Sequence, residues 1–348
     1  MKKILGHENK KLSDIYCEIA SYLETNEVDK DQYGHGEFLN NFEVEVAKYV
    51  GMESAIFLPS GVMAQLIAIK IWGDDKESNL FACHESCHLI KHEEDAYQKL
   101  LNFEAQLIGE KDKVPTKKDL VKMNEKVSSL IYELPMRHLG GDLPDLEELN
   151  EIKEYCKENE VKLHIDGARI FEAVSYYQIP VSDIVQNVDS LFISFYKGFG
   201  STSGSMLLGT QKFIDQAKIW LRRFGGNLYQ LYPLAIPAKI QFEKNKNQFT
   251  NWKMKCDELT KSLQEELKLE IIPYPSKTNM FHTYLPISKK DFRVKCDEYK
   301  TKGIDIRLGI WEENEKGCRI EFTVGDATLK FATTELVAIF SELKSNNK

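Results

Sequence analysis

Short apolar runs separated by longer amphipathic stretches set the rhythm of the first two-thirds of this chain. Ala55-Ile56-Phe57-Leu58, Asn79-Leu80-Phe81-Ala82-Cys83, Ser129-Leu130-Ile131-Tyr132-Glu133-Leu134, the alternating Val161, Leu163 and Ile165, and Leu191-Phe192-Ile193 predict strands. Several are too uniformly apolar to keep a solvent face, which is the mark of a strand buried on both sides. Between them, 41–50, 62–72, 88–101 and 146–159 carry the helical period. Buried strands alternating with helices predict an α/β fold with a largely parallel sheet covered on both faces, and ligands collecting at the carboxyl ends of its strands.

After Tyr232-Pro233-Leu234-Ala235-Ile236-Pro237 the rhythm changes. A polar helical region runs from Gln241 to about Leu269, and the strand-like stretches 279–285 and 319–324 then alternate with helices. This predicts two domains: 1–238, an N-terminal arm with a large ligand-binding domain, and 239–348, a smaller C-terminal α+β domain. A length of 348 residues agrees with more than one hydrophobic core. The tail Ser345-Asn346-Asn347-Lys348 is expected to fray.

Composition narrows the partners. The net charge of −8 comes from 46 basic and 54 acidic residues interspersed along the chain, which argues against a nucleic-acid or anionic-membrane surface and for small molecules. No apolar stretch approaches the roughly eighteen residues that a membrane span needs. Met1-Lys2-Lys3-Ile4-Leu5-Gly6-His7 leads into charged residues without the apolar core of a secretion signal, so a cytoplasmic protein is expected. Seven cysteines, an odd number and widely scattered, are expected to be reduced thiols.

The candidate chemistry lies at the strand ends. Asp166 closes the run His164-Ile165-Asp166-Gly167-Ala168-Arg169, and Lys197 follows the strand Leu191-Phe192-Ile193 in Ser194-Phe195-Tyr196-Lys197-Gly198. An acid and an amine on neighbouring strand ends fit pyridoxal 5'-phosphate (PLP): the aspartate keeps the pyridine nitrogen protonated, and the lysine bonds to the cofactor aldehyde. Leu58-Pro59-Ser60-Gly61-Val62-Met63 is a strand, a glycine turn and a helix start, a place for a phosphate on unpaired backbone N–H groups or simply an N-cap turn. In Cys83-His84-Glu85-Ser86-Cys87-His88-Leu89-Ile90-Lys91-His92-Glu93, three histidines recur every four residues and could line one helix face. A second ligand pair for zinc is missing, so no metal is expected; one imidazole stacked on the cofactor ring is the better use, with His84 or His92 at the surface.

Pro59-Ser60-Gly61-x-Met63, His88 with Glu93, the Asp166-Gly167-Ala168-Arg169 run, Lys197-Gly198 with Gly204-Ser205, Gly225-Gly226 and Lys277-Thr278-Asn279-Met280 together resemble the low-specificity threonine aldolases, the β-eliminating lyase group of fold-type-I PLP enzymes. The resemblance implies a mainly parallel seven-stranded sheet of the aspartate aminotransferase-like kind. It implies Lys197 as the cofactor lysine, Asp166 at the pyridine nitrogen, His88 on the ring, and Gly61, Val62 and Met63 around the phosphate. Arg169 and Arg319 match the arginines that hold the substrate carboxylate, with Arg307 as a rival to Arg319. Family members are dimers or tetramers, so a homodimer or homotetramer is implied, with Tyr33 reaching a neighbour.

The departures fall on the substrate side. The family's N-terminal Arg-Ser-Asp-Thr has no counterpart in Leu5-Gly6-His7-Glu8, and the threonine of its phosphate turn is Val62. The serine before its lysine is Tyr196, and its Glu-Asn-Thr-His strand end is Glu133-Leu134-Pro135-Met136-Arg137-His138. Its base histidine finds no match in 121–126, and an arginine of a later stretch is Tyr229. Candidates for an altered acid or base are His35, His88 and His138, with Arg137 as an anion binder. The expected activity is PLP-dependent cleavage of a β-hydroxy-α-amino acid of threonine type to glycine and an aldehyde. The alternatives are β-elimination or transamination of another amino acid, or PLP binding without turnover.

Overall fold

Seven strands form the sheet of the larger unit, in the order Ser54–Leu58, Ser205–Gly209, Ser190–Ser194, Lys162–Asp166, Ser129–Glu133, Leu80–His84 and Glu104–Ile108. Only Ser205–Gly209 runs against its neighbours; the other pairs are parallel. The computed structural model describes residues 1–345, and 346–348 of the tail lie outside the described residues. The larger unit takes 13–135 and 144–246, while a smaller one gathers 1–12, 136–143 and 247–348.

Alternation along a strand sends successive side chains to opposite faces. Ile56 and Leu58, with Phe192 and Leu207, pack against Ala64, Ile67, Ala68 and Ile71 of helix Gly61–Asp75 and Phe213, Ala217 and Leu221 of helix Gln211–Arg223. Phe57 points the other way, into an aromatic cluster with Phe42 and Phe195 whose ring centroids are 5.3 to 6.3 Å apart. Each fully buried side chain of this size contributes about 1.5–3 kcal/mol, so both faces of the sheet are anchored.

Two aspartates fix the loop before the first large helix. Asp29 accepts the N–H groups of Glu37 and Phe38 at 2.8 and 2.7 Å, capping helix Glu37–Val50. Asp31, buried, accepts those of Leu231 and Tyr232 at 2.9 and 2.8 Å, where helix Tyr232–Asn245 starts.

In the smaller unit an antiparallel sheet runs Gly309–Asn314, Gly317–Thr323, Met280–Leu285, Ile271–Ile272. Helices Phe249–Leu267, Lys289–Thr301 and Thr333–Lys344 accompany it.

The structure departs from the hydrophobic pattern in several places. The helix expected over 88–101 is two, His88–Lys91 and Ala96–Leu101, because Glu94 and Asp95 take the left-handed conformation at φ 50° and 57°. The polar region after Gln241 belongs to two helices, the first starting at Tyr232 with Pro233 in its opening turn, where a missing N–H costs nothing. Glu104–Ile108, an edge strand with a polar alternation, and Ser205–Gly209 carry no strong strand signal of their own. Helix Leu12–Thr25 in the N-terminal arm buries none of its side chains.

Candidate active site

Asp166 is the last residue of its strand and pairs in register with Phe192 on the next, so the loop that carries Lys197 leaves the sheet beside it. The Asp166 side chain is 4% exposed and accepts the Ala168 N–H at 3.2 Å. The glycine between them is obligatory: a methyl group on Gly167 would meet Leu191 at 2.5 Å and the Phe192 carbonyl at 2.9 Å.

His88 opens its short helix and its Nδ1–H donates to Glu93 Oε1 at 2.8 Å. The Glu93 side chain is fully buried, and burial raises its pKa, while the bond from His88 and the charges of His88 and Lys197 lower it and Asp166 raises it. One carboxyl group thus senses the imidazole, the strand-end acid and the lysine together. Lys197 is half-buried. Its neighbour Tyr196 turns its phenol toward the glycine turn on the other side of the site: a methyl group on Gly61 would lie 2.9 Å from the Tyr196 hydroxyl and 2.4 Å from the Phe192 ring. Glycine is therefore required at the first residue of helix Gly61–Asp75, whose leading N–H groups, of Gly61, Val62 and Met63, are unpaired within the helix.

Arg169 lies in the same unit and donates to the buried carboxylate of Glu172 at 3.2 Å. Arg137 and Arg319 belong to the smaller unit. Arg137 gives Glu321 a two-point grip at 2.8 and 3.0 Å and lies 5.0 Å from the Trp311 ring centroid. Arg319 donates through Nη2 to the His138 carbonyl at 3.1 Å, and its Nε is buried without a hydrogen-bond partner. The rival Arg307 is two-thirds exposed and held by Asp305 at 2.8 and 2.6 Å, in a surface pair. His138 packs edge-on against Trp311, and His35 is exposed.

The histidine run does not line one helix. His84 ends a strand, is buried, and pairs with the Ser86 hydroxyl at 2.8 Å and the Glu110 carbonyl at 2.9 Å, so the surface position offered for it is corrected; His92 is exposed. Among the described residues no three His, Cys, Asp or Glu side chains converge as metal ligands would, and none of the seven cysteines is in a disulfide.

A buried chain of hydrogen bonds lies below the site, and the sequence pattern does not reveal it. Trp72 Nε1–H donates to Ser190 Oγ at 2.8 Å, the Ser190 hydroxyl to His164 Nδ1 at 2.8 Å, and His164 Nε2–H to Gln65 Oε1 at 3.0 Å. Burial pushes the His164 pKa down to about 3, so this imidazole is neutral. Gln65 and Trp72 belong to the helix of the glycine turn, His164 shares a strand face with Asp166, and Ser190 begins the strand that leads to Lys197. One polar chain ties together the three elements that carry the candidate groups. The only signal in the sequence is the spacing: Gln65 is one helical turn beyond Gly61, and His164 two residues before Asp166.

Comparison with known proteins agrees with this geometry. The model of the beta-eliminating lyase family matches residues 15–286. The probable low-specificity L-threonine aldolase 2 of Arabidopsis thaliana is 30% identical over 291 residues, covering 78% of this chain and 79% of its own length. The low specificity L-threonine aldolase of Escherichia coli K12 is 32% identical over 224 residues, 63% of this chain and 66% of the relative. Among solved structures, a provisionally named aromatic amino acid beta-eliminating lyase/threonine aldolase from Exiguobacterium sp. 255-15 superposes with a TM-score of 0.92 at 32% identity, covering 99% of this chain and 96% of that one. A provisionally named L-allo-threonine aldolase from Listeria monocytogenes gives 0.91 at 34% identity, covering 99% and 95%. The residues fit PLP on their own terms: a glycine cradle closed to any side chain, an enclosed carboxylate at a strand end, a lysine on the adjacent loop, and a Glu93 Oε2 buried without a hydrogen-bond partner. With this cofactor set and a mainly parallel seven-stranded sheet, the chain belongs to the beta-eliminating lyase family, the fold-type-I group of PLP-dependent lyases.

Proposed function

We propose that this PLP-dependent lyase breaks the Cα–Cβ bond of a β-hydroxy-α-amino acid of threonine type, releasing glycine and an aldehyde. The observation that carries the reading is Glu93, which holds His88 at 2.8 Å and feels both Asp166 and Lys197. The threonine aldolase names of relatives at about this level of identity support it.

Bound PLP supplies a ring that takes up the electron pair released when a bond at Cα breaks. The chain's own residues do the rest. Lys197 would hold the cofactor through its amine. Asp166, enclosed at its strand end, would keep a proton on the pyridine nitrogen and so preserve the ring's electron demand. The N–H groups of Gly61, Val62 and Met63 would hold the phosphate. His88, its Nδ1–H fixed by Glu93, would face the ring and offer Nε2 as the acceptor for the substrate hydroxyl proton. Arg169 and Arg319 are proposed to fix the substrate carboxylate, since a guanidinium fork sets a planar anion in one orientation. Arg137, already gripped by Glu321, acts as an anion binder beside Arg319 in the smaller unit.

We also propose a cytoplasmic homodimer or homotetramer. Exposed Leu12, Tyr16 and Leu23 share one face of a helix that has no fully buried residue, which supports a second copy as the cover of that face. Among the described residues no helix is long and apolar enough to cross a membrane.

Incubating the holoenzyme separately with threonine, allo-threonine, serine and alanine tests the reaction. Acetaldehyde and glycine from either of the first two are expected. Pyruvate as the main product, without acetaldehyde, would move the assignment to elimination or transamination.

A further inference from the structure

The phosphate turn of this chain is short of donors. Its residues are Ser60, Gly61, Val62 and Met63, and Ser60, at the N-cap, makes no side-chain cap hydrogen bond. No side chain after the glycine carries a hydroxyl, so backbone N–H groups are all that the helix itself offers to a dianion. Across from the turn stands a hydroxyl from the loop that carries Lys197.

We propose that the Tyr196 phenol is a ligand of the cofactor phosphate, supplying from the lysine loop the side-chain hydroxyl that the turn lacks after Gly61. The inference rests on the reading of that turn as the phosphate site and adds a donor to it.

Three observations carry it. The phenol oxygen is placed against the first residue of the helix, 2.9 Å from where a methyl group on Gly61 would be. The side chain is 38% exposed, so a ligand at the turn can reach the hydroxyl. Ser194, at the end of the strand that leads into this loop, is 1% exposed, and its hydroxyl and the Gly61 N–H both interact with the phenol.

The charge state suits a donor. Burial raises the Tyr196 pKa above its ordinary value, against the pull of the Ser194 hydroxyl and the Gly61 N–H, and the charges of Asp166 and Glu93 add smaller lifts. The phenol therefore keeps its proton and offers it to a phosphate oxygen, where a phenolate would repel it. Because Tyr196 and Lys197 are adjacent, one backbone segment would hold two neighbouring groups of the cofactor: its phosphate by a hydroxyl, its aldehyde by an amine.

The test separates phosphate binding from ring binding. Holoenzyme is stripped of cofactor and titrated with PLP and with pyridoxal, which has no phosphate, in the native protein and in Tyr196→Phe. The variant is expected to weaken PLP by about 10- to 100-fold, the loss of one hydrogen bond to a charged group, and to leave pyridoxal unchanged. The phosphorus NMR shift of bound PLP should move toward that of free PLP. Val62→Thr, which returns a hydroxyl to the turn, should restore most of the loss in the Tyr196→Phe background. Unchanged PLP binding in Tyr196→Phe, or equal weakening of PLP and pyridoxal, overturns the proposal. Native protein that binds PLP no better than pyridoxal would instead overturn the assignment of the turn itself.

Discussion

Glu93 meets two opposed demands. Its carboxyl is enclosed, which favours the neutral acid, while the His88 imidazole and the Lys197 amine favour the anion. In the proposed site the anion fixes which His88 nitrogen carries the proton, leaving Nε2 to accept one. Glu93→Gln keeps an oxygen that can accept from Nδ1–H but removes the charge, whereas Glu93→Ala removes both. We expect kcat/KM to fall about tenfold in the first and about a hundredfold in the second. The pH–rate profile checks the role: the limb that reports the base should shift in Glu93→Gln, a change that a packing defect alone would not produce.

At the scale of elements, the Trp72–Ser190–His164–Gln65 chain makes a helix and two strands move as one. His164 is neutral because burial lowers its pKa from the ordinary 6.5 to about 3. Protons therefore bind the unfolded chain more readily than the folded one across that interval. The stability that this group contributes is whole above pH 6.5 and is lost as pH falls toward 3. His164→Gln, which can still donate to Gln65, should flatten this part of the acid limb in chemical denaturation followed across pH. The same reasoning about element ends applies to Asp31, whose carboxylate accepts N–H groups at the start of helix Tyr232–Asn245. Asp31→Ala should cost about 1–3 kcal/mol of folding stability, because it strands those donors in a buried place. Equilibrium unfolding of the two proteins measures it.

For the whole molecule, stability against pH is bounded from both sides. Glu43, on helix Glu37–Val50, accepts the Phe57 N–H of the edge strand at 2.8 Å and lines a cavity of about 990 Å³. Burial pushes its pKa up from 4.5 to about 7. Here the folded state holds the proton more firmly, so stability falls as pH rises from 4.5 to 7 and the full penalty applies above that. Glu43→Gln keeps the acceptor and removes the charge; its Tm should exceed that of the native protein at pH 8 and match it closely at pH 5. His164 erodes the acid side and Glu43 the neutral side, so the substitution should also move the pH of greatest stability upward.

The sequence alone determined what depends on local pattern and on residue chemistry. Uniformly apolar runs can be satisfied only inside a sheet covered on both faces, which made the parallel architecture legible, and an aspartate and a lysine at the ends of such runs fall at one edge of the sheet whatever the loops do. Glycines at 61 and 167 were legible as motif and acquire their reason from packing, since each excludes a methyl group. Tertiary structure decided what depends on distant partners. Whether His84 is a surface residue, whether Arg319 or Arg307 is the exposed one, and that Gln65, Ser190 and Tyr196 converge on the cofactor elements are all set by contacts across many residues of chain. Hydrophobic periodicity records which face of an element is buried, not which polar group on another element it meets, and that meeting is where the chemistry of this site is made.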